Sequence, residues 1–217
     1  MPVRLHRQGR FRRWLGARFG HDEVWGDRML RRIVHTSGAA ILLYYLFPTD
    51  FFLIAPKEYI LLAALLAAFV IEALRHAADL ELPTIRPFER RRVASYVFYA
   101  VALVGAILLA PLPIAAAVIL GTALIDPLAG GLRESERLRR LYPAVPYAGY
   151  ALLAFVGLAL LGGWPVALCV PLALFAAAVG LAAEYPKMTW LDDDLLMTAA
   201  PAVALYVVGV LALGLPG

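Results

Sequence analysis

The chain reads as an all-α, polytopic membrane protein of about seven transmembrane helices, with its N-terminus in the cytoplasm. Three observations predict this. The first is composition: of 217 residues, 62% are hydrophobic and the mean hydropathy is +0.76, whereas a soluble domain is nearer half apolar. The second is spacing. Seven apolar runs, at 29–47, 58–74, 93–110, 114–125, 147–161, 166–183 and 195–214, punctuate the sequence, and most approach the length a helix needs to cross roughly 30 Å of hydrocarbon. Without alternating barrel strands, the backbone of each span can satisfy itself only as a helix. The third is charge. With seven crossings, nineteen of the 20 Lys and Arg fall on one side, in segments 1–32, 75–92, 126–146 and 184–194, and only Lys57 lies opposite. The positive-inside rule makes the nineteen-charge side cytoplasmic. Fourteen of the 16 acids share that face, so the chemistry gathers at one interface rather than at a transporter-like midplane.

Two parts follow: a basic amphipathic cytoplasmic segment, 1–28, and a single transmembrane helical domain, 29–217. In the first, Arg4, Arg7, Arg10, Arg12, Arg13 and Arg18 alternate with Leu5, Phe11, Trp14, Leu15 and Phe19. That pattern suits a helix lying on an anionic leaflet, so the lipid bilayer is its partner. In that context the positive charge does not argue for nucleic acid. Arg31, Arg32 and His35 at the start of the first run do not suit a cleaved signal peptide. The lone Cys169 sits within an apolar run, where no disulfide framework can form.

Each cytoplasmic end then carries polar residues. In RRIVHTSG, Arg31 and Arg32 lie four and three residues before His35 and can share its helix face, with Ser37-Gly38 allowing close approach. Glu72, about one turn inside the second run, is an intramembrane carboxylate whose expected partner is Arg75 or the Arg31/Arg32 pair. Arg90, Arg91 and Arg92 lead into the third run, SYVFYA. The fourth run is short unless it extends through Asp126. Asp126-Pro127 predicts an end to the smooth helix, and Ala129, Gly130 and Gly131 predict a turn whose backbone N–H groups can hold a phosphate. Arg133, Arg137, Arg139 and Arg140 follow as anion partners. The bridge EYPKMTWLDDDL, from Glu184, ends in Asp192, Asp193 and Asp194. Three adjacent carboxylates at an interface call for arginine or a divalent cation opposite.

Carboxylates for Mg²⁺ and arginines for phosphate are the two parts that phosphoryl or nucleotidyl transfer requires. Their place at the interface suits an acceptor that cannot leave the bilayer. No GxxxxGK[ST] loop and no Rossmann GxGxxG occurs.

Motif by motif, RRIVHTSG resembles the R-K/R-x-x-H-x-x-G opening of the dolichol kinase and phytol kinase family, and IEALR its E-x-x-R. RRVASYVFYA is similar to the family's third span, residues 126–130 to its D-x-x-A block, and Glu184 with LDDDLL to its E…D-D-N-L signature. The resemblance covers most of the chain from about residue 29. It implies phosphorylation of a membrane-embedded alcohol such as a polyprenol, with CTP as donor and a divalent cation, Mg²⁺. On that reading Asp126, Glu184 and Glu72 are catalytic; Arg31, Arg32, His35, Arg75, Gly130 and Arg133 bind nucleotide or phosphate; Asp192 and Asp193 hold the metal. Two departures stand out. Asp194 replaces the usual Asn, and the K-S-x-E-G-S block is missing: its nearest counterpart, VPYAGYAL, has Val145 for Lys and Ala148 for Glu. A head-group or nucleotidyl transferase on the same scaffold, and a non-catalytic member serving as lipid-binding or partner subunit, remain the alternatives. The oligomeric state, a homo-oligomer included, is left open. The arginine-rich, short-looped chain points to a prokaryotic plasma membrane.

Overall fold

A computed structural model describes residues 23–49, 56–78, 85, 89, 92–185 and 191–216. The basic segment expected at 1–28 lies outside these residues apart from its last six, whose backbone already belongs to the first helix.

Every regular element among the described residues is helical. In chain order they are α1 (Glu23–Ser37), α2 (Glu58–Ala77), α3 (Ser95–Leu109), α4 (Leu112–Glu134), α5 (Ala144–Val156), α6 (Val166–Ala183) and α7 (Asp193–Leu205). A 3₁₀ segment, Gly38–Leu46, prolongs α1, and π-helical segments prolong α5 (Gly157–Leu161) and α7 (Tyr206–Ala212). Five of the helices are long and apolar enough to cross a membrane: α2, α4, α6, and α5 and α7 with their π extensions. The helix over the third run, α3, is apolar but has only 15 residues, and the first run changes from α to 3₁₀ part-way.

The fourth run corrects an expectation. Instead of ending near Asp126, α4 runs unbroken for 23 residues, with Pro127 in its interior. Proline there withdraws the N–H that the Ala123 carbonyl would accept. The helix continues because its next turns have somewhere to pack: Ala129 and Leu132 are buried, and tertiary burial outweighs local propensity. Gly130 and Gly131 are accordingly helical, not part of a phosphate-cradling turn.

That same helix is the axis of the fold. In α4, 67% of the spanning stretch is buried, against 17% in α2. Around α4 pack α1, α3, α5, α6 and α7, while α2 joins through α3. Small side chains permit this density: Ala115, Ala116 and Ala117 are fully buried, and a Cβ on Gly157 would come within 2.5 Å of the Ala117 backbone nitrogen. Ile114, Ile119, Tyr150, Leu158, Met197 and Leu205 fill the centre. A polar stitch crosses it, Thr198 Oγ1 donating to Thr122 Oγ1 over 3.2 Å. Outward, α2 presents Leu62, Leu66, Phe69 and Val70, which suits a hydrocarbon solvent. The second half of α1, the end of α2, the start of α3, the end of α4, the end of α6 and the start of α7 meet at one end of the bundle.

Candidate functional site

The site is built from the start of α7. Asp192 is its N-cap: Oδ1 accepts the Asp194 N–H over 3.2 Å, satisfying one of the donors a helix start leaves open. Its other oxygen, Oδ2, accepts from the Ser95 hydroxyl at 2.8 Å and from Arg92 at 3.1 Å, which ties α7 to the start of α3. Ser95 also lies 2.5 Å from Glu89 Oε1. The cap sends Asp194 inward, where it is 2% exposed.

There Asp194 meets α1. Its Oδ1 is 3.3 Å from His35 Nε2, and its Oδ2 is 3.8 Å from an Arg31 nitrogen. Arg31 in turn lies 4.0 Å from Glu89. From α4, Asp126 Oδ2 approaches His35 Nε2 to 3.7 Å. The imidazole is held in place by Tyr99 of α3, which stacks on it at 4.0 Å between centroids and 19° between planes. The Tyr99 hydroxyl also donates to the His35 carbonyl over 2.7 Å. Gly38 makes room for this: a Cβ there would collide with the Tyr99 ring. So four helices each place one or two side chains around one point.

What distinguishes the point is incompleteness. Arg31 Nη1, His35 Nε2 and Asp194 Oδ2 are sealed from solvent yet make no hydrogen bond among the described residues. Buried polar atoms in native proteins are almost always paired. A cavity of about 40 Å³, lined by Arg31, His35, Glu89, Ser95, Tyr99 and Asp194, opens beside them. It has room for about three waters or for a ligand of that size.

The other expected residues divide into separate clusters. Glu72 is not brought to His35. Both its oxygens are bonded by Arg75, at 2.8 and 2.7 Å, and it also accepts from the Ala94 N–H at 2.9 Å and the Tyr96 hydroxyl at 2.8 Å. Arg75 continues to the Arg92 carbonyl at 2.8 Å. Together they form a staple holding the start of α3 onto α2, and this geometry supports a structural rather than a catalytic role. Glu184, at the end of α6, is 2% exposed. It pairs with Arg133 and accepts from the Tyr142 hydroxyl at 3.3 Å. Burial and the adjacent Glu184 carboxylate push the Tyr142 phenol up to about 12, keeping it a donor. Arg32 turns away from Arg31 to Glu134, at 2.6 Å. Asp193 stands in the first turn of α7, its carboxylate grouped with those of Asp192 and Asp194 rather than with His35. Gly130, inside α4, touches none of these groups.

Sequence reasoning missed Tyr99, Ser95 and Glu89; it named Asp194 within the acidic triplet that calls for a cation and as a departure from the family's Asn, but not as the partner of His35. Ser95 and Tyr99, at i and i+4, carried a signal: a hydroxyl stripe on an otherwise apolar span start.

Beside the polar cluster, an apolar groove of about 360 Å³ runs between α3 and α7. Thr198, one turn beyond Asp194, is at its head with Leu195, and Tyr206 is at its foot; that stretch of helix is about 16 Å long. Small residues floor it (Ala102, Gly105, Ala202), and its rim is open, Leu109 and Val203 being 84% and 63% exposed.

No known protein family, curated protein or solved structure matches the chain.

Proposed function

We propose that the protein is a membrane-embedded lipid kinase that crosses the bilayer seven times, N-terminus inside, and transfers a phosphoryl group from a nucleotide to a lipid alcohol. One observation carries the reading: a buried, incompletely paired cluster of arginine, histidine and carboxylates lies at the head of an open apolar groove. Such a pair of sites matches an amphiphile, with its chain along α3 and α7 and its hydroxyl at the cluster. CTP as donor, and a polyprenol as one suitable acceptor, come from the motif resemblance.

In this reading the lipid oxygen bonds to the γ-phosphorus of CTP, the bridging bond to the β-phosphate breaks, CDP leaves, and the hydroxyl proton passes to a carboxylate. Asp126, with a side chain 20% exposed, is the carboxylate open to both water and substrate. Arg31, 21% exposed, sits where phosphate charge develops, and phosphoryl transfer depends mainly on such positioning and charge compensation. A divalent cation, when bound, supplies further neutralisation of the phosphates. Tyr99 and Gly38 keep His35 in register.

A second reading is favoured by Val145 and Ala148, which stand where the family has its lysine and glutamate: a lipid-binding subunit without transfer activity. One assay separates the two. Purified protein in lipid nanodiscs is incubated with γ-labelled CTP, or ATP, and a lipid-alcohol extract. Label entering the organic phase supports the kinase. Lipid retention without label transfer supports the binding subunit.

A further inference from the structure

We infer that His35, Asp126 and Asp194 form a divalent-cation site of borderline character, taking Mn²⁺ or Zn²⁺ in preference to Mg²⁺. The site differs from the Asp192/Asp193 pair that the sequence pattern suggests. It also stands without the kinase reading, because it rests on the side chains alone.

Geometry is the first support. Ligand atoms sharing one tetrahedral cation at about 2.1 Å lie about 3.4 Å from each other. His35 Nε2 is 3.3 Å from Asp194 Oδ1 and 3.7 Å from Asp126 Oδ2. The three side chains offer ligand atoms that all lie within 4.8 Å of one another. They come from α1, α4 and α7, so a shared cation would lock the central helix to two of its neighbours.

The second support is independent of that grouping. His35, 5% exposed, turns Nε2 toward both aspartates, and that nitrogen has no hydrogen-bond partner among the described residues; Asp194 Oδ2, 3.8 Å from Arg31, likewise has none among them. His35 Nε2 lies 3.3 Å from Asp194, in reach of a hydrogen bond but poorly aligned for one. Buried Asp194 and part-exposed Asp126 bring two negative charges to His35, and Arg31, 3.8 Å from Asp194, is shared with Glu89 at 4.0 Å. Counting Glu89 with the two aspartates against Arg31 leaves two negative charges, which a dication offsets while using the idle nitrogen.

The donor set decides the metal. Mg²⁺ prefers oxygen ligands and sheds water reluctantly, whereas imidazole favours transition ions and carboxylates admit Mn²⁺. The aspartate triplet competes poorly, because Asp192 spends both oxygens on the α7 cap, Ser95 and Arg92. With three protein ligands and a polar cavity alongside, coordination positions are left for water or a phosphate oxygen.

The test is Mn²⁺ titration of the full chain in detergent, followed by electron paramagnetic resonance, with Zn²⁺ and Mg²⁺ as competitors and no nucleotide or lipid present. One Mn²⁺ per chain is expected, displaced by Zn²⁺ far more readily than by Mg²⁺. Pulsed spectra of the wild type should show modulation from a directly bound imidazole nitrogen, a readout that needs no variant to fold. His35→Gln should abolish that modulation, and His35→Gln and Asp126→Asn should each weaken binding by about 30-fold or more. Nitrogen-free spectra, or binding lost in Asp193→Asn but kept in His35→Gln, would place the ion on the aspartate triplet and overturn the assignment. Binding without lipid phosphorylation would leave the site standing and count against the kinase alone.

Discussion

At the scale of single residues, the site depends on a glycine that touches no substrate. Gly38 lies against Tyr99, and Tyr99 holds the His35 ring by stacking and the His35 carbonyl by a 2.7 Å bond. In Gly38→Ala the new methyl must displace a ring that is only 6% exposed. Overpacking of this kind costs about 1–3 kcal/mol. The expected outcome is a lower thermal midpoint in detergent together with weaker Mn²⁺ binding; an unchanged midpoint would mean that Tyr99 moves freely. The individual chemistry was partly legible in the chain. RRIVHTSG announced Arg31 and His35 as a pair on one helix face, and Asp126 announced itself by its place at a span end. Their partners were not legible, because Asp194 and Tyr99 reach His35 only through packing between helices distant in sequence. Glu72 shows the converse. As an isolated intramembrane acid it reads as catalytic, yet the fold surrounds it with Arg75, Ala94 and Tyr96, none of which the motif could reveal beyond Arg75.

Among elements, α7 and α4 deliver the carboxylates in different ways. α7 begins with its own cap, so the acidic triplet has a local purpose: Asp192 bonds the Asp194 N–H, and acids in a first turn complement the helix dipole. Asp192→Ala should lose that cap, at about 1 kcal/mol, and also the contact to Arg92 at 3.1 Å. Asp192→Asn should keep the cap and lose the two contacts that Oδ2 accepts, from Arg92 and from Ser95. A larger fall in thermal midpoint for Ala than for Asn is expected, and equal falls would show that the cap contributes nothing. α4 delivers Asp126 from within a proline-containing helix. Asp-Pro followed by two glycines is an ordinary turn signal, which is why the helix end was misplaced by local reasoning. Ala129 and Leu132 are apolar residues that gain burial by continuing the helix past it, a reward invisible to a local reading.

For the whole molecule, the expected segregation of charge comes from counting alone: with seven crossings, nineteen of the 20 basic residues fall on one side. Which helices surround which was not legible, because small-residue contacts such as Gly157 on Ala117 depend on three-dimensional register. The proposed orientation has its own check. In intact cells an impermeant maleimide should label Thr49→Cys, on the short-loop side, and should reach Glu136→Cys only after lysis; the native Cys169 is buried and stays silent. The reverse pattern would put the cluster outside and remove its access to nucleotide. The central claim is that one buried cluster at the head of the α3/α7 groove phosphorylates a lipid. Its most direct measurement is the rate of γ-phosphoryl transfer from CTP to lipid alcohol, for the wild type and for Asp194→Asn of matched thermal midpoint. Transfer by the wild type, reduced at least about 100-fold in Asp194→Asn, is the predicted result; equal rates in the two, or no transfer by folded wild-type protein, would contradict it.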